Sequence, residues 1–83
     1  MTYTVYIIYS EKTQRYYVGQ TDNFEKRLER HNKGLVKSTK SGVIWRVIHT
    51  VACETRSESI LLESKIKKRG IGRFLIDNDV ELA

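Results

Sequence analysis

The stretch YTVYIIYSEKTQRYYVG, Tyr3 to Gly19, decides the fold. Its first seven residues are aromatic, β-branched or both in alternation, the composition of a strand. On a strand, Tyr3, Val5, Ile7 and Tyr9 share one face, and Thr4, Tyr6 and Ile8 share the other. Ser10 to Arg15 is polar and reads as a hairpin loop. Tyr16-Tyr17-Val18-Gly19 reads as the return strand. In such an antiparallel pair Tyr6 and Tyr17 can lie near each other on one face, in a register that the residues alone leave open.

Outward from the hairpin, Asp22 followed by Glu25 has the spacing of a capping box, with aspartate as the cap. The spacing predicts a helix over 23–33, with Phe24 and Leu28 packed inward. Arg27 and His31, four residues apart, project side by side from it. Gly34 is a natural stop. Residues 35–42 are polar and basic and read as a loop. Residues 44–53 are rich in Val and Ile and read as a third strand. Thr55 followed by Glu58 caps a second helix, with Ser57 as a competing cap, and that helix runs to about residue 69. Ile60, Leu61 and Ile66 supply its apolar positions, with Leu62 beside them, and Gly70 ends it. Arg73 to Asn78 forms a short last helix or a strap across the sheet. The order β-β-α-β-α-α predicts an α+β fold: a small three-stranded antiparallel sheet flanked by helices.

Eighty-three residues suit one domain, 1–83, with a small core. The formal net charge of +5 favours an anionic partner. The cations are clustered: Lys26, Arg27, Arg30, Lys33, Lys37 and Lys40 in one stretch, Lys65, Lys67, Lys68, Arg69 and Arg73 in another. The acids Asp77, Asp79 and Glu81 gather at the other end of the chain. Cys53 is the single cysteine, so it forms no intramolecular disulfide, and within an apolar run it reads as a small buried hydrophobe. No Cys/His set has zinc-ligand spacing. Residues 1–3 lack the basic start of a secretory signal, and no apolar run approaches membrane-spanning length. A cytoplasmic protein with no membrane partner is the expectation.

Taken in order, Thr4-Val5-Tyr6, Tyr17-Val18-Gly19, Asp22 to Leu28 and His31-Asn32 resemble the GIY-YIG nuclease superfamily. Within it, they resemble the small stand-alone bacterial proteins often called URI-like. Glu63-Ser64-Lys65-Ile66-Lys67 is similar to that group's second helix, where a glutamate precedes an Ile-Lys pair. The isolated Tyr-Val-Gly is a weak signal; both tyrosines, Arg27, His31 and Glu63 in order are a strong one. Thr4 stands where the first motif has its glycine. Asn78 is the one late asparagine, a type some family nucleases use near the site. No DNA-binding appendage is visible.

The resemblance implies metal-dependent hydrolysis of a DNA phosphodiester by an endonuclease. Glu63 would be the sole protein ligand of Mg²⁺ or Mn²⁺, an arrangement that Mg²⁺ tolerates because it keeps several waters. Its bland alternative is a surface glutamate paired with Lys67 one turn on, worth about 0.3–0.5 kcal/mol. Arg27 would grip the scissile phosphate with its planar fork. Either Tyr6 or His31 would activate the water. A tyrosine base needs nearby positive charge to lower a pKa near ~10, whereas histidine titrates near ~6.5. Tyr17 would orient water or phosphate. Gly19 would let the phosphate approach the backbone, and Gln20 would be a weak phosphate contact. Lys26, Arg30, Lys33, Lys37, Lys40 and Lys67 would hold the DNA backbone. Trp45 and Phe74 read as core, with base stacking as the lesser alternative for Trp45. The expected substrate is branched, flapped or damaged DNA, as in repair or recombination, with a targeting protein as one source of selectivity. The rivals are a non-catalytic nucleic-acid-binding module on the same fold and a protein-interaction domain.

Overall fold

β1 (Tyr3–Ser10) is the middle strand of a three-stranded sheet, between β2 (Arg15–Thr21) and β3 (Trp45–Cys53). Both neighbours run antiparallel to it. The computed structural model describes residues 2–83, and within them α1 (Phe24–Asn32), a 3-10 helix (Lys37–Gly42), α2 (Arg56–Arg69) and α3 (Ile71–Asp77) complete the predicted order. The 3-10 helix lies inside the stretch expected to be a loop.

The central strand is buried on both faces, and the period of two divides its side chains between two cores. Val5 and Ile7 pack with Val18, Cys53, Ile66 and Leu75, with Leu62 and Phe74 against them, so α2 and α3 close that face. Tyr6, Ile8 and Trp45 form the other cluster, with Tyr17, Phe24 and Leu28 of β2 and α1 packed on it. The first core is aliphatic. The second is aromatic and holds buried polar groups beside it.

The helix ends follow local chemistry. The N-cap of α1 is Asn23, one residue after the expected Asp22; its side chain accepts the Lys26 amide at 3.1 Å. Beyond α1, the Gly34 amide reaches the His31 carbonyl and the Leu35 amide reaches that of Arg30, the paired bonds of a Schellman stop. Gly34 takes φ 72°, where a side chain would be strained. Thr55 caps α2 through the Glu58 amide, so Ser57 loses the competition.

One expectation about α2 needs correction. Ile60 and Leu61 are 48% and 67% exposed. The buried stripe is Ser59, Leu62 and Ile66, spaced i, i+3, i+7. Three consecutive apolar residues cover most of a helix's circumference, so their run alone did not fix which one faces the sheet.

Candidate active site

The pairing of β1 with β2 sets the geometry. Tyr6 lies opposite Gly19, and Tyr17 lies opposite Ile8. Tyr6 and Tyr17 are therefore diagonal neighbours on one face, with ring centroids 6.3 Å apart. The space above Gly19 is filled by the Tyr6 phenol: a Cβ at position 19 would stand 2.5 Å from its hydroxyl oxygen. Gly19 thus makes room for the Tyr6 phenol. Phe24 of α1 supports the Tyr6 ring from 5.2 Å.

His31, on the last turn of α1, comes down onto this pair. Its ring lies 5.7 Å from that of Tyr6 and 5.1 Å from that of Tyr17, edge-on to both. The Tyr6 hydroxyl is 2.9 Å from His31 Nε2, and Thr39 Oγ1 is 2.7 Å from His31 Nδ1. Thr39 in turn donates to the Val36 carbonyl at 3.4 Å. One hydroxyl has one proton, so the network assigns the tautomer. Thr39 gives its proton to Val36 and accepts from Nδ1–H, which leaves Nε2 bare to accept the Tyr6 hydroxyl. Thr39 was not a sequence candidate, and a polar loop residue eight positions from His31 carries no periodic signal. It is held by Trp45, whose indole N–H donates to the Thr39 carbonyl at 2.8 Å. Asn32 clamps the same corner, accepting the Trp45 amide at 2.6 Å and donating to its carbonyl at 3.2 Å.

Tyr6 and His31 are 1% and 0% exposed. Burial, then the neighbouring Tyr17 and the negative charge of Glu63, push the Tyr6 hydroxyl far above its ordinary pKa, against the opposing pull of Arg27. Burial, with Arg27 and Arg30 nearby, pushes His31 down to about 4. Both groups are neutral at pH 7, which agrees with Tyr6 donating and His31 accepting.

Arg27, Tyr17 and Glu63 are half-buried and form the rim above that pair, all three acting on the Tyr6 hydroxyl electrostatically. Glu63 comes from α2, which packs along β2; there the Gln20 side-chain amide lies 3.3 Å from the Ser59 hydroxyl. Gln20 is thereby a tie between β2 and α2. The five residues Tyr6, Tyr17, Arg27, His31 and Glu63 are brought together. The expected phosphate contacts are more scattered. Lys26, Arg30 and Lys33 lie on the exposed side of α1 around a cleft of about 270 Å³, where Lys33 pairs with Glu29 at 2.6 Å. Lys37 and Lys40 are exposed on the 3-10 helix.

Glu63 meets Lys67 at 2.8 Å, the pair that its bland reading anticipated. The lysine end is 60% exposed and the glutamate end 23%. Such an i,i+4 pair is worth about 0.3–0.5 kcal/mol, so it holds the carboxylate only loosely against a stronger cation. Among the described residues no group of three His, Cys, Asp or Glu could hold a metal. The donor set is one hard carboxylate, which fits an ion that completes its shell with water and phosphate oxygens and does not fit a closed protein cage.

Residues 2–70 match the family model described as the GIY-YIG catalytic domain. The chain belongs to the GIY-YIG family, a nuclease-type family whose substrate is DNA and whose nucleases generally depend on a divalent metal. Its fold is similar to that of the UPF0213 protein BH0048 from Bacillus halodurans, known from a solution NMR structure, with a TM-score of 0.52 and 26% identity over 82% of this chain and 72% of that one. No curated protein matches the chain. No helix of the described residues is long and apolar enough to cross a membrane.

Proposed function

We propose that the chain is a metal-dependent endonuclease that hydrolyses DNA phosphodiester bonds, with Tyr6, Tyr17, Arg27, His31 and Glu63 as its site. The observation that carries the reading is the Tyr6–His31 hydrogen bond beneath a rim of Arg27, Tyr17 and Glu63. Family membership alone would leave the activity open.

The division between buried pair and half-buried rim supports the following roles. Arg27 takes the scissile phosphate, because its fork matches two non-bridging oxygens. Tyr17 orients the phosphate or the water by its hydroxyl. Glu63 would hold the divalent ion, Mg²⁺ or Mn²⁺, in exchange for Lys67, and when bound the ion would supply charge stabilisation to the departing oxygen. His31 has no exposed surface and its Nε2 is capped by Tyr6, so water reaches it only through the Tyr6 hydroxyl. Tyr6 accepts the water's proton as it passes its own to Nε2. A lone tyrosinate is not needed, which suits a phenol whose ionisation is suppressed. The low basicity of His31 rests partly on the charges of Arg27 and Arg30. An anionic phosphate on Arg27 offsets that charge, so His31 becomes a better base when substrate is bound.

Lys26, Arg30, Lys33, Lys37 and Lys40 give salt-dependent hold on the DNA backbone without reading sequence. Selection by DNA structure, in repair or recombination in the cytoplasm, and with the help of a targeting protein, is the biological setting this implies.

The Lys67–Glu63 pair favours one rival, a binding module in which Glu63 is only structural. Cleavage of plasmid, single-stranded, flapped and branched DNA, with Mg²⁺, Mn²⁺ or EDTA, separates the two. The nuclease reading expects metal-dependent cuts that fall by about 10²-fold or more in Glu63→Ala and in Arg27→Lys, a loss typical of one transition-state stabiliser. Salt-sensitive binding with no metal-dependent cut in any form would favour the module or a nuclease that needs its targeting protein.

A further inference from the structure

Beside the site the surface opens into a cleft of about 620 Å³ that none of the assigned roles uses. Thr13 and Arg15 of the β1–β2 hairpin line one side, and Ser38 and Ser41 of the 3-10 helix line the other. Tyr17, half-buried, and Trp45, buried, also line it, their ring centroids 6.3 Å apart. We propose that this cleft holds one unpaired nucleotide of the substrate, next to the scissile phosphate. The proposal rests on the reading that the Tyr6 cluster takes a phosphodiester.

Three features of the cleft point to that ligand. The first is charge: the lining holds a guanidinium and several hydroxyls but no carboxylate, and Arg15 has no ion-pair partner among the described residues. Lys37 and Lys40 stand exposed on the same 3-10 helix. An anionic ligand with hydroxyl and carbonyl groups suits this lining, and an acid-binding pocket needs no further element. The second is size: the volume lies in the range of about 300–1,000 Å³ that takes one small ligand, and a paired duplex cannot enter it. The third is continuity. Tyr17 is at once a lining residue of the cleft and a rim residue of the site, 5.1 Å from the His31 ring centroid. A nucleotide against Tyr17 is therefore adjacent to a phosphate on Arg27. An aromatic ring accepts any base, and half-buried Tyr17 offers one here, so the cleft selects for an unpaired nucleotide and not for a base identity. The enzyme would then favour DNA with a single-stranded element, a flap or a gap, over continuous duplex.

Trp45 is the only tryptophan of the chain, so its fluorescence reports this cleft directly. The probe is a thymidine tetranucleotide, titrated against the full chain without metal, with inorganic phosphate as the control. The expected result is saturable quenching that phosphate does not reproduce. Ser38→Phe, which fills the cleft from an exposed position, and Arg15→Gln should each weaken tetranucleotide binding by about tenfold, with circular dichroism unchanged. Neither should alter binding of a fully paired duplex by more than about twofold. No quenching, or unchanged affinity in both variants, or equal weakening for duplex, overturns the proposal. Quenching without any cleavage of flapped DNA would leave the cleft standing and remove the nuclease reading, whereas cleavage without quenching would do the reverse.

Discussion

Replacing Gly19 with alanine tests the packing that builds the site. The new Cβ would stand 2.5 Å from the Tyr6 hydroxyl oxygen, 2.7 Å from its Cζ and 3.2 Å from Tyr17 Cε2. Carbon contacts settle near 3.5–4.0 Å, so the phenol must retreat by about 1 Å. Gly19 has no left-handed φ, which makes the effect steric and not a matter of backbone strain. The retreat breaks the 2.9 Å bond to His31 and leaves a buried acceptor without a partner. Overpacking costs about 1–3 kcal/mol and the orphaned nitrogen about 1–3 kcal/mol, with some relief from relaxation. We expect a loss of about 2–4 kcal/mol in urea unfolding. Gly72→Ala is the control: nothing lies within 4 Å of a Cβ there, and α3 should gain up to about 1 kcal/mol. The double variant Gly19→Ala/Tyr6→Phe should recover part of the loss, because the closest clash is with the hydroxyl. A Gly19→Ala protein within about 0.5 kcal/mol of the parent, with intact cleavage, would refute this account of Gly19 and Tyr6.

Two further outcomes follow from His31. Its folded pKa of about 4 lies below an unfolded value near ~6.5, so the unfolded chain binds the extra proton between those pH values. Stability should be full above pH 6.5 and fall by about 1–3 kcal/mol as the pH drops toward 4; urea midpoints across that window, flattened in His31→Gln, check it, and a midpoint that does not fall would contradict it. Thr39→Val keeps the side-chain shape but leaves Nδ1–H without an acceptor, at a cost of about 1–3 kcal/mol. Histidine ¹⁵N shifts should show the Nδ1–H tautomer in the parent and in Thr39→Ser, with the preference lost in Thr39→Val; an unchanged tautomer in the valine form would remove Thr39 from the network.

The residues that cluster together are legible because their positions obey short-range periods. Alternation on β1 put Tyr6 and Val5 on opposite faces, and a four-residue interval put Arg27 beside His31. The resemblance supplied Glu63, which sequence chemistry alone would have left as the partner of Lys67. What escaped were features decided between elements. The cap moved from Asp22 to Asn23, since both residues can serve and only the chain's entry angle chooses. Leu62, and not Ile60 or Leu61, faces the sheet, because packing with Ile66 decides among adjacent apolar residues. Thr39 and the 3-10 helix were invisible, as their order comes from His31, Trp45 and Asn32, residues far enough away that no local pattern predicts them. The need for a glycine at position 19 is set across the strand pair by the Tyr6 phenol, which no local pattern shows.

β1 supplies the aliphatic core with Val5 and Ile7 and the site with Tyr6, so scaffold and chemistry are interleaved on one strand. A slip of one residue against β2 would exchange them, placing a phenol among aliphatic side chains and an isoleucine under His31. The hairpin turn of residues 11–14 fixes that alignment, so its length is a determinant of chemistry although none of its side chains belongs to the cluster. An insertion of a single residue there that shifted the strand would be read as an active-site lesion long before it was read as a change in a surface loop.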